Sequence, residues 1–168
     1  MDKVIKIENE SIILRSLNCQ DSEKYRLLRN DEEVRKYFYH NGYISKEAQM
    51  KWYEKYKDTT DDYMFSVFLK QQEVYVGGVA LYNIDFEAKS AEVGRIIIDK
   101  SQKGNGLGSE AINCIVEWGN GRLGITRFYA SIYANNYASR KTFERCGFTI
   151  VSEQCSKVLV EKIFSRDI

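Results

Sequence analysis

The sequence predicts an α/β (α+β) fold, with a mixed, mostly antiparallel central sheet flanked by helices, and three observations carry that prediction. Stretches rich in β-branched and aromatic residues recur at residues 11–17, 63–69, 73–82, 90–98, 127–133, 148–153 and 157–164, and such side chains suit the pleated, half-buried surface of a strand. Between some of them lie segments whose apolar residues fall three or four apart, the period of one helix face. The resulting order, βααβββαβαββ, implies a sheet with both parallel and antiparallel neighbours. With no repeat, low-complexity tract or linker in 168 residues, one domain spanning residues 1–168 is expected.

The first strand holds Ile12, Ile13 and Leu14, and Asp21 is placed to cap the helix that carries Tyr25, Leu27 and Leu28. A second helix starts at Ser45 and aligns Ala48, Trp52, Tyr53 and Tyr56 before the polar run 58–62 ends it. Residues 63–69 and 73–82 read as a hairpin about Lys70, Gln71 and Gln72, followed by the strand at 90–98. A glycine-rich loop leads into a helix with Leu107, Ala111, Cys114, Ile115 and Trp118 on one face, stopping near Gly119, Gly121 and Gly124. A strand at 127–133, a short helix at 137–145 and the last two strands complete the order.

Charge and cysteine usage narrow the function. With 25 basic and 24 acidic residues the formal net charge is +1, so neither nucleic acid nor an anionic membrane is the expected partner, and a small molecule is. The start, Met1 to Lys6, lacks the apolar core of a signal peptide, and no run approaches the roughly 18 apolar residues of a membrane span, which points to a cytoplasmic protein. Cys19, Cys114, Cys146 and Cys155 show no CxxC spacing and have only His40 beside them in the inventory of soft ligands, so reduced thiols and no metal are expected.

The most informative stretch runs from Ile96 through Asp99, Lys103, Gly104, Asn105, Gly106, Leu107, Gly108 and Ser109 into Ala111, an apolar strand passing through three glycines into an amphipathic helix. Glycines there let a ligand approach the backbone, and the free N–H groups of the first helical turn attract an anion such as pyrophosphate. The spacing matches neither a Walker A loop nor GxGxxG, which argues against ATP and NAD. Lys103-x-x-Gly106-x-Gly108 resembles the acetyl-CoA loop, R/Q-x-x-G-x-G/A, of the GCN5-related N-acetyltransferase (GNAT) family, with Lys103 standing where that family generally has Arg or Gln. A later block, from Asn135 and Asn136 through Tyr137, Ser139, Arg140 and Phe143 to Gly147 and Phe148, resembles the family's second motif. The similarity looks closest to the ribosomal-protein-alanine and spermidine acetyltransferase branches.

The resemblance implies acetyl transfer from acetyl-CoA to a primary amine by direct attack in a ternary complex, with a small amine, amino sugar, polyamine or protein N-terminus as acceptor. Homodimerisation is an expectation carried by the resemblance alone. Such an amine, with a pKa near ~10, has to lose a proton before it attacks. Glu92 is the candidate base: strand alternation is expected to put Glu92, Gly94 and Ile96 on one face, with room at Gly94 beside the carboxylate. An ordinary strand carboxylate, solvated or paired with Lys89, is the competing reading.

By resemblance, the backbone N–H of Ile98 serves the oxyanion and Ile96 helps hold the pantetheine arm. Lys103 to Ser109, Asn136, Ser139 and Arg140 are the further cofactor contacts. Phe143 occupies the place where many family members have a tyrosine acid, leaving Ser139 or Tyr137 to protonate the thiolate. His40, Trp52 and Tyr82 are candidate acceptor contacts. A CoA-binding regulatory module without catalysis is the alternative from another class.

Overall fold

A computed structural model describes residues 4–165; Met1 to Lys3, part of the segment read above for a leader, lies outside them. One eight-stranded sheet runs in the order β1-β2-β3-β4-β5-β6-β8-β7. Its strands are β1 (Lys6–Glu8), β2 (Ile12–Ser16), β3 (Tyr63–Leu69), β4 (Val74–Asp85), β5 (Ser90–Ile98), β6 (Arg127–Tyr133), β7 (Thr149–Gln154) and β8 (Lys157–Ile163). Every neighbouring pair is antiparallel except β5 with β6.

The helices are α1 (Cys19–Arg29), α2 (Glu32–Arg35), α3 (Lys46–Lys57), α4 (Leu107–Leu123) and α5 (Tyr137–Arg145), with a single 3₁₀ turn over Lys100–Gln102. Alternation along β3 and β4 sorts two cores. Phe65, Val67, Val79 and Leu81 face α4, packing with Ile112, Ile115 and Phe128, while Met64 and Ala80 face Tyr25 of α1 and Tyr56 of α3. The larger core also takes Phe143, Cys146 and Phe148 from α5 and the turn after it.

Four local expectations change. The strand β1 was not anticipated, because three residues bearing the Lys6–Glu8 ion pair give no apolar period. Asn18, not Asp21, caps α1: its side chain accepts from the backbone N–H of Asp21 at 2.8 Å. The short α2, capped by Asp31, adds a helix between the two predicted ones. The helix α4 runs through Gly119 and Gly121 and ends at Gly124, whose φ of 69° supplies the left-handed terminus.

Gly119 has a packing reason instead. A Cβ there would lie 2.9 Å from Leu81 Cδ2 and 3.0 Å from Phe128 Cε1, so its absence lets α4 settle against the sheet. At Gly121 nothing lies within 4 Å of that position. Gly119→Val is therefore expected to cost about 1–3 kcal/mol through overpacking, whereas Gly121→Ala gains about 0.5–1 kcal/mol of helix propensity. Urea unfolding of the two variants tests the opposite signs.

Candidate active site

The strands β5 and β6 pair only over Ser90–Arg127, Ala91–Phe128 and Glu92–Tyr129, then separate, although β5 continues to Ile98 and β6 to Tyr133. A cavity of about 900 Å³ opens along this gap, walled by residues 92–98 of β5, residues 130–133 of β6, and parts of α1, α3, α4 and α5. It reaches from Glu92 to Ser109 at the start of α4, so the two stretches singled out in the sequence share one space.

A bulge shapes the β5 wall. The register passes from Gly78–Ile97 to Ala80–Gly94, which sets Arg95 and Ile96 against Val79 alone. Arg95 absorbs the extra residue with a φ of 51°. The side-chain alternation is thereby reset, and the expectation that Glu92, Gly94 and Ile96 share a face fails at this point. Glu92 and Gly94 meet Tyr82, whereas Ile96 and Ile98 turn to the α4 core and Ile97 to the α1 core.

The carboxylate of Glu92 is held on both oxygens. Tyr82, its cross-strand partner, donates its hydroxyl to Oε1 at 3.0 Å, and the Asn83 side-chain amide donates to Oε2 at 2.9 Å. Asn83 reaches it from a second bulge, with a φ of 50°. The room expected beside Gly94 is filled by Tyr82: a Cβ at position 94 would stand 2.7 Å from that hydroxyl. Burial, with Glu92 beside it, pushes the Tyr82 phenol well above its usual range, so it stays a donor. Lys89 is not the partner of Glu92.

Arg95 is fastened beside this pair. Its Nη1 contacts both oxygens of Asp62 at 2.9 Å, and its guanidinium lies 4.2 Å from the Tyr82 ring centroid and 5.7 Å from that of Trp52. Tyr25 donates to the Arg95 carbonyl at 2.9 Å, which ties α1 to the bulge.

At the other end, Gly104 and Gly106 adopt φ values of 85° and 75°, and Gly106 enters α4 without a side-chain cap. Glu110 makes the first helical bond to Gly106, so the N–H groups of Leu107, Gly108 and Ser109 have no partner within the helix. Lys103, Gly104, Gly106, Leu107, Gly108 and Ser109 line the cavity; Asn105 does not, and its amide donates at 3.4 Å to Gln102, which does. The carboxylate of Asp99 is taken by the Ser101 backbone and hydroxyl, at 2.8 and 2.7 Å. Lys100 is bonded to Asp31 at 2.9 Å, which holds the turn before α2 against this loop.

Asn136 caps α5 by accepting from Ser139 N–H at 3.2 Å, and both residues line the cavity. Arg140 points out of it, to the Ala134 carbonyl and Glu153. Tyr137 is 68% exposed and outside the cavity wall, and Phe143 is buried edge-on to Phe148. His40, Trp52 and Tyr82 all line the cavity; the His40 carbonyl accepts from Arg29, and Trp52 stacks on Tyr56 at 5.2 Å. Sequence reasoning missed Asn83, Arg95, Arg29 and Lys157 on or beside this wall. Nothing local marks them, since each arrives through a bulge, a helix end or a hairpin brought close by the fold.

A sheet whose one parallel pair splays over an uncapped helix N-terminus, with a carboxylate further along the split, belongs to a known class. Residues 11–149 match the family model described as an acetyltransferase (GNAT) domain. The chain is a member of that family.

Among its relatives is a probable N-acetyltransferase of Bacillus subtilis, YjcK, 25% identical over 83% of this chain and 73% of its own length. The spermidine N(1)-acetyltransferase of Vibrio cholerae is 26% identical over 83% of this chain and 80% of its own. Similar solved structures include the Vibrio cholerae spermidine N-acetyltransferase in complex with CoA and spermine (TM-score 0.84, 22% identity, 92% of this chain and 96% of that one). Apo FdhC, a nucleotide-linked sugar GNAT, gives a TM-score of 0.82 at 21% identity over 95% of this chain and 90% of its own.

The crowding at Gly94 yields a test by double-mutant cycle. Tyr82→Phe should cost about 1 kcal/mol for the lost hydrogen bond to Glu92. Gly94→Ala, which drives the hydroxyl off the carboxylate, should cost less in the Tyr82→Phe background than alone, as measured by denaturant unfolding.

Proposed function

We propose that this protein transfers the acetyl group of acetyl-CoA to a primary amine by direct attack in a ternary complex. The observation that carries the reading is that the Glu92 carboxylate and the free N–H groups at the start of α4 open onto one cavity in the gap between β5 and β6. The pyrophosphate of CoA sits on the N–H groups of Leu107, Gly108 and Ser109, with Lys103 supplying a cation beside it. The pantetheine arm runs along Ile96 and Ile98, against Asn136 and Ser139.

Glu92 takes the amine's proton. Tyr82 and Asn83 fix the orientation of its two oxygens, and a carboxylate retains lone pairs to accept from an amine or an intervening water. Because β6 pairs with β5 only as far as Glu92, the cavity side of β5 from there to Ile98 has no strand partner among the described residues, which supports the backbone N–H of Ile98 as the oxyanion donor. Ser139, on the cavity wall, is better placed than the exposed Tyr137 to return a proton to the thiolate. A small amine, an amino sugar, a polyamine and a protein N-terminus remain the acceptor classes, and the similar spermidine and nucleotide-linked sugar proteins fall in two of them.

Glu92→Gln keeps the shape and removes the charge, its one amide oxygen accepting from one of the two donors. It is expected to lower kcat/KM by about 10²–10⁴-fold while leaving CoA affinity within a factor of two or three. Thiol release and calorimetry measure the two quantities. Unchanged turnover removes Glu92 from the mechanism, and tight CoA binding without release against any amine leaves a CoA-binding module.

A further inference from the structure

On the reading just given, we infer that the acceptor amine also carries an oxyanion, a phosphate or a carboxylate, which Arg29 and Lys157, both in contact with the Tyr39–His40 segment, receive.

Arg29, at the end of α1, lines the cavity yet is only 5% exposed, and among the described residues it has no carboxylate within ion-pair distance. Its Nη2 donates to the His40 carbonyl, and its guanidinium carbon lies over Phe38, 3.7 Å from the ring centroid. Nη1 is buried without a hydrogen-bond partner. A buried guanidinium lacking both a counter-charge and an acceptor for one nitrogen is an expensive arrangement. An oxyanion supplies both at once.

Lys157, the first residue of β8, reaches the same segment. Its Nζ stands 5.0 Å from the Tyr39 ring centroid and 5.5 Å from that of Tyr133, with no carboxylate partner among the described residues. The acids on this wall are already engaged. Glu33 pairs with Lys36 at 2.5 Å, and Glu92 is bonded by Tyr82 and Asn83. Arg95 is matched by Asp62, and Lys103 faces the cofactor's phosphates in the reading above.

Glu92 keeps its charge, because Tyr82 and Asn83 are neutral donors, so the unpaired Arg29 and Lys157 set against Glu92 leave the acceptor side with a net positive charge. A free polyamine, bearing several positive charges at neutral pH, meets repulsion there. An amino-sugar phosphate, a nucleotide-linked amino sugar or a peptide with its carboxylate meets the opposite sign. The anion is assigned to the acceptor because Arg29 bonds the His40 carbonyl and Lys157 lies over the Tyr39 ring, whereas the N–H groups assigned to CoA are those at the start of α4.

The test is thiol release from acetyl-CoA with matched acceptors: glucosamine against glucosamine 6-phosphate, glycylglycine amide against glycylglycine, and spermidine. The anionic member of at least one pair should exceed its neutral partner in kcat/KM by about ten-fold or more. Arg29→Met and Lys157→Met should close that gap through the acceptor KM, with the acetyl-CoA KM unchanged. Should Arg29→Met fail to fold, Lys157→Met carries the test, since among the described residues its Nζ contacts the Tyr39 and Tyr133 rings and no carboxylate.

Preference for spermidine or for the neutral members overturns the inference, and so does a rise confined to the acetyl-CoA KM, which assigns the cations to the cofactor. Calorimetric titration of inorganic phosphate into the CoA-saturated protein needs no turnover: binding weakened several-fold by Lys157→Met supports the site, and no binding overturns it. Absence of thiol release with every amine overturns the acetyltransferase reading instead.

Discussion

The parting of β5 from β6 after three residue pairs is the constraint on which the rest of the molecule depends. Two parallel strands that stayed paired to their ends would bury their backbone groups in a continuous ladder and leave nowhere for a ligand to lie. Separation has a cost, because backbone groups on both strands lose partners that buried N–H and C=O groups ordinarily keep. The cost is tolerated where something else occupies the gap, and the same gap brings together the start of α4, residues 96–98 and the Glu92 carboxylate.

Several features support that opening. The bulge at Arg95 bends β5 and frees Ile96 and Ile98 to face the α4 core, while Arg95 itself is clamped by Asp62 and its carbonyl by Tyr25. Across the strand, β4 brings Gly77 so close that a Cβ there would lie 1.9 Å from the Ile97 carbonyl oxygen. Ion pairing between Asp31 and Lys100 then draws the α1–α2 turn onto the loop before α4. The Lys100 ammonium beside Asp31 holds its carboxyl below the usual carboxylate range.

Much of this was legible from the residues. Apolar period and turn composition located seven of the eight strands, and the run of glycines before an amphipathic helix located the uncapped start of α4, because both signals are local. What was not legible depends on counting residues across strands or on distant packing. A bulge exists only relative to the partner strand, so Arg95 looks like any alternating residue until Val79 is set opposite it. Gly119 reads as a helix stop, and only the nearness of Leu81 and Phe128 shows it to be a packing site. Arg29 ends α1, and its missing counter-ion becomes visible only once the chain has folded around it.

The most direct test of the central claim is amide hydrogen exchange with and without CoA. The account predicts slowed exchange at residues 106–109 and along residues 96–98, the two walls that the gap between β5 and β6 brings together. Unchanged exchange at both, with protection confined to another part of the surface, would contradict it.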